Sequence, residues 1–78
     1  MDNELNWSKA KFFKDLNWKV HILRTNGYFN NGTIECVEAD FLLLQEDRKG
    51  LMPLFFNEIV DIEKWEDKEN RDGTTGNL

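Results

Sequence analysis

The segment from Phe41 to Phe56 constrains this chain more than any other. Nine of its sixteen positions are large and apolar: Phe41, Leu42, Leu43, Leu44, Leu51, Met52, Leu54, Phe55 and Phe56. The polar run Glu46-Asp47-Arg48-Lys49-Gly50 divides it and reads as a turn between two strands. Neither strand alternates apolar with polar, and continuous apolar runs belong to strands covered on both faces. A chain of 78 residues cannot cover them all by itself. Exposing them would invite aggregation, so a partner surface is expected. Pro53 places that partner along one edge, because proline lacks the N–H that a central strand must donate.

The rest of the chain arranges itself around this pair. Ala10, Phe13 and Leu16 recur at helical spacing, with Phe12 widening the stripe, which predicts a helix over 7–16 with Asn6 or Ser8 as N-cap. So short a helix must pack on something to persist in water. From Trp18 the period becomes two: Trp18, Val20 and Ile22 face one way, Lys19 and His21 the other. Asn26-Gly27 is a hairpin turn. A second strand runs from Phe29 to Val37, and Gly32 inside it marks a bulge or a sharp bend. Glu38-Ala39-Asp40 leads into the third strand, Phe41 to Gln45. Leu51 to Phe56 is the fourth, Asn57-Glu58 a tight connection, and Ile59 to Trp65 the fifth. The expected fold is therefore mostly β, with a short N-terminal helix followed by a strongly bent five-stranded antiparallel barrel. Residues 1–6 form an N-terminal extension, 7–65 the domain, and 66–78 a flexible acidic tail without apolar periodicity.

Charge narrows the function. The net charge of −5 is uneven: residues 1–25 carry five Lys/Arg against three Asp/Glu, residues 26–78 five against twelve. An acidic chain gains no general affinity for nucleic acid, so any such binding needs a local site. The lone Cys36 excludes an internal disulfide and alternates with Ile34 towards the interior. No apolar run approaches the roughly 20 residues that cross a bilayer, and no basic-then-apolar leader opens the chain, so the default location is cytoplasmic. His21 stands alone on a polar strand face, and no nucleophile has a base beside it in sequence. No enzyme, cofactor or metal is expected. Glu35, Glu38 and Asp40 form a small acidic group whose simplest reading is a solvated loop.

A family resemblance rests on several of these segments together. Phe12-Phe13-Lys14-Asp15-Leu16-Asn17-Trp18-Lys19-Val20 is similar to the helix end and first-strand entry of Sm-like proteins. Asn26-Gly27 followed by Gly32 has the glycine spacing of their first motif, and Phe55-Phe56-Asn57-Glu58-Ile59-Val60-Asp61-Ile62 resembles the second. The resemblance covers residues 12 to 64. It implies an SH3-type Sm-like barrel that pairs its fourth strand with the fifth of the next copy, closing a homo-oligomeric ring of roughly five to seven subunits. Leu51, Met52, Pro53, Leu54, Phe55, Ile59, Val60 and Ile62 would then form the subunit interface.

It also implies where single-stranded RNA would sit: Glu38, Asp40 and Leu42 in one loop region, Phe56 and Asn57 in another, or the Lys11 and Lys14 face of the helix. Glu38 replaces the usual aspartate. Asp40 stands where a base-stacking side chain is common, and Leu42 where Sm proteins carry asparagine. Phe56 and Asn57 occupy the place of arginine-glycine or lysine-histidine. Two functions follow: an RNA-binding ring with a degenerate site, or a structural ring for protein interaction.

Overall fold

A computed structural model describes residues 3–66; the acidic tail expected over 66–78 lies, except for its first residue, outside them. Helix α1 spans Glu4–Leu16, followed by β1 (Lys19–Arg24), β2 (Phe29–Val37), β3 (Phe41–Glu46), β4 (Gly50–Phe55), a 3-10 turn over Phe56–Glu58, and β5 (Ile59–Lys64). The order is the expected one. The helix begins earlier than its periodicity indicates, after Asn3, whose side chain makes no capping hydrogen bond. Asn6, expected as a cap, is inside the helix and spends its amide on a distant strand. Asn17 ends α1 in the left-handed conformation at φ 59° and donates its N–H to the Lys14 carbonyl, a conformation asparagine tolerates better than most residues.

The five strands make one antiparallel sheet in the order β4-β3-β2-β1-β5. The two turns with positive φ are glycines: Gly27 at 88° closes β1 to β2, and Gly50 at 82° opens β4 after the Asp47-Arg48-Lys49 loop. Gly32 is required for a different reason. A Cβ there would lie 2.1 Å from the Gln45 carbonyl oxygen, so only a hydrogen lets β3 cross β2 this closely. Two residues on, the register of β2 against β3 slips between Ile34 and Cys36, a bulge that bends the strand. The slip also takes Cys36 out of the interior. It was expected to follow Ile34 inward, and is instead half-buried with its thiol donating to Glu38 Oε2 at 3.0 Å.

Val20, Ile22, Ile34, Leu42, Leu44, Leu54, Ile59 and Ile62 line the inner face, with Phe56 closing one end and Ala10 of α1 lying against them. Phe13 and Met52 pack on this cluster from its margin. Full burial of such aliphatic side chains stabilises by about 1.5–3 kcal/mol each, so this small interior holds the sheet curved. β4 and β5 end the sheet on opposite sides and, among the described residues, neither has a partner on its outer edge.

Candidate nucleic-acid interface and sheet edges

The turn Glu38-Ala39-Asp40 is exposed, and three hydrogen bonds fix it. The Glu38 N–H donates to the Phe41 carbonyl at 2.8 Å, closing the turn on itself. Trp7 Nε1 donates to the Glu38 carbonyl at 3.0 Å, which ties α1 down on it. The Phe56 N–H donates to the Asp40 carbonyl at 2.9 Å, which brings the β4–β5 corner alongside. The two loop regions expected to share a site thus become neighbours, through backbone bonds that no side-chain pattern announces.

The side chains divide. Glu38, Asp40 and Asn57 are exposed around this corner. Leu42 and Phe56, expected with them, are only 0 % and 1 % exposed and lie in the core, because inner-face alternation on β3 and the 3-10 turn aim them inward. They shape the site from beneath and offer a ligand no surface. Lys11 is exposed and lies 5.8 Å over the Trp7 ring, while Lys14 is half-buried in the last turn of α1. Both lysines act on Cys36 by lowering its pKa, yet the thiol ends up raised above its ordinary value. The bond it donates to Glu38 is the largest cause, followed by desolvation and the Glu38 charge. A raised pKa favours the protonated form of this thiol. Between α1 and this turn runs a shallow groove lined by Asn3, Glu4, Trp7 and Ala39. Among the described residues, no three His, Cys, Asp or Glu side chains converge where a metal ion could sit.

A second cluster lies on the outer face of β1 and β2. His21 stacks on Phe29 with ring centroids 4.1 Å apart, Trp65 tilts against it at 5.7 Å, and Asn31 Oδ1 holds His21 Nδ1. Lys19 reaches over Trp65 at 5.0 Å and pairs with Asp47 at 2.5 Å. Sequence marks each aromatic singly; the register of β1 against β2, His21 opposite Asn31, assembles them.

Of the residues assigned to a subunit interface, Leu51, Pro53, Phe55 and Val60 are exposed, with Leu51 58 % and Val60 52 % accessible. Met52 is half-buried, and Leu54, Ile59 and Ile62 belong to the chain's own core. Asn6, expected only as a helix cap, reaches the same region: its Nδ2 donates to the carbonyls of Ile59 and Val60, 3.3 Å from each. Lys9, one turn on, pairs with Asp61 at 2.6 Å and Glu63 at 3.6 Å. Burial alone would raise the Asp61 pKa; the bonds from Lys9 and Glu63 outweigh it and leave the carboxyl below its ordinary value.

No family model and no curated protein matches this sequence. Among solved structures, the 1.55 Å crystal structure of the pleiotropic translational regulator Hfq is similar, with a TM-score of 0.66 at 19 % identity, over 76 % of this chain and 97 % of that one. With one N-terminal helix and five antiparallel strands in a single sheet, the chain has the Sm-like fold. No helix among the described residues is long and apolar enough to cross a membrane.

Proposed function

We propose that this chain is the subunit of a homo-oligomeric Sm-like ring that binds single-stranded RNA weakly, through a degenerate site. The observation that supports the ring is the pair of open sheet edges. β4 carries Leu51, Pro53 and Phe55 on its exposed face, and the second residue of β5, Val60, is exposed. One chain thus presents two complementary edges of a single antiparallel sheet, and head-to-tail pairing satisfies both at once.

The RNA surface is the corner of Glu38, Asp40 and Asn57 beneath the Lys11 and Lys14 face of α1. Its carboxylates repel a phosphate backbone, so affinity rests on the helix lysines and on repetition around the ring. Titration with labelled oligo-U and oligo-A at low salt tests this, with native mass spectrometry of the same sample. Binding in the micromolar range that falls as salt rises is expected. A ring that binds neither oligomer at high micromolar concentration contradicts the RNA assignment.

The burial of Leu42 and Phe56 and the acidity of the corner favour a second reading. The ring then serves protein contact, and RNA is not its ligand. Purification that recovers a stoichiometric protein partner and no nucleic acid separates it from the first.

A further inference from the structure

The two open edges are unequal in their hydrogen-bonding groups, and the inequality decides how they can meet. In an antiparallel ladder, alternate residues turn both backbone groups towards the partner strand and the rest turn both away. The Phe56 N–H donates to the Asp40 carbonyl, and β3 pairs with β4 without interruption from Phe41–Phe55 to Glu46–Gly50. Met52 and Leu54 therefore face β3, while Leu51, Pro53 and Phe55 face the open edge. Pro53 has no N–H to offer there. The β4 edge presents three carbonyls and two donors.

On β5, the Trp65 N–H donates to the Lys19 carbonyl, and the register runs from Val20–Lys64 to Leu23–Asp61. Asp61 and Glu63 face β1, which leaves Ile62 and Lys64 on the open edge. Val60 is skipped by the bulge opposite Leu23 and Arg24, and its carbonyl, together with that of Ile59 beside it, receives the Asn6 amide. This carbonyl already has a donor. Pro53 is a missing donor, and Val60 is an acceptor already served.

From this we infer that Asn6 and Pro53 together fix the register of the intersubunit strand pair, with Pro53 of one subunit opposite Val60 of the next. The inference rests on the ring reading above and names its contact. Sliding by two residues would put Pro53 opposite Ile62, and by four opposite Lys64, leaving in each case an edge carbonyl in the interface without a donor. In the inferred register Leu51 lies opposite Ile62 and Met52 opposite Asp61. The exposed apolar side chains of β4 then extend the neighbour's core. Asn6 belongs to the neighbour's helix, so α1 takes part in assembly through one side chain.

The rescue relation tests this directly. Asn6→Ala should weaken the assembly roughly threefold to tenfold per interface, read as the concentration at which rings dissociate in sedimentation and native mass spectrometry. Pro53→Ala in the same chain restores a donor opposite the same carbonyl and should recover most of the loss, while circular dichroism confirms that every variant folds. Register is read separately in a Cys36→Ala background, with diamide oxidising paired thiols to disulfides. Met52→Cys with Asp61→Cys should cross-link neighbouring subunits, and Met52→Cys with Glu63→Cys should not.

A double variant no stronger than Asn6→Ala alone, or cross-linking through Glu63→Cys instead of Asp61→Cys, overturns the register while leaving the ring intact. A ring that cross-links through neither pair does the same. A wild-type chain that stays monomeric throughout the concentration range overturns the ring reading, and the register with it.

Discussion

Gly32 and Glu46 show how much of this fold hangs on single residues facing each other across β2 and β3. Among the described residues, Glu46 and Asn30 are the buried polar ones. Its Oε1 accepts the backbone N–H groups of Arg48 and Lys49, both at 2.8 Å, and its Oε2 accepts from Asn30 Nδ2 at 3.3 Å. The carboxylate thus caps the β3–β4 turn, and the Lys49 and Arg48 bonds hold its pKa below the usual glutamate range. A carboxyl depressed in the folded state stabilises at pH above its unfolded value, and that stability is lost as pH falls through the folded one. Glu46→Gln should therefore lower the melting temperature at pH 7, with the gap to wild type closing in melts below about pH 4. Gly32→Ala is expected to be harsher. A methyl 2.1 Å from the Gln45 oxygen must push β2 and β3 apart, at a cost of about 3 kcal/mol in urea unfolding whatever the pH.

Helix α1 is the element whose role sequence conveys least. Its 3.6-residue period predicts that it packs, and Ala10 and Phe13 do. Where it packs depends on contacts with residues 31 and more positions away: Trp7 with Glu38, Lys9 with Asp61, and Asn6 with Ile59 and Val60. The strands were more legible, because period two, the apolar run and Asn-Gly are local signals. The β2 bulge was not: Ile34 and Cys36 alternate correctly in sequence, and the unpaired residue between them is visible only once β3 lies alongside. The candidate site failed at Leu42 and Phe56 for a related reason, since a motif position specifies a place in the chain and says nothing of which way its side chain points. Lys9→Met should loosen α1 on β5 at a cost of about 0.5–1 kcal/mol, because Lys9 and Asp61 keep partial access to water. The deficit should shrink in 1 M salt, where an ion pair of this kind is screened and wild type loses the same contribution.

In the proposed ring, charge and apolar edges would act in opposite directions. Each chain brings a net charge of −5, so closing a ring gathers like charges that repel over about 8–10 Å at physiological ionic strength. In the proposed ring the apolar face of β4 meeting β5 would have to overcome that repulsion, and Leu51 is the residue on which to separate the two. It is 58 % exposed in the single chain and contributes little to its core. Leu51→Glu should leave the isolated fold within roughly 1 kcal/mol of wild type, as surface changes usually do. In the ring the same carboxylate would be driven against Ile62 of the next subunit and lose its water without gaining a cation. The expected product is a folded monomer, with an unchanged far-ultraviolet spectrum and a single-chain mass by sedimentation. RNA affinity should then fall by more than the number of lost sites, at least tenfold, since repeated weak contacts no longer share one strand. A Leu51→Glu monomer that binds oligo-U as tightly as the ring would place the whole RNA site within one subunit.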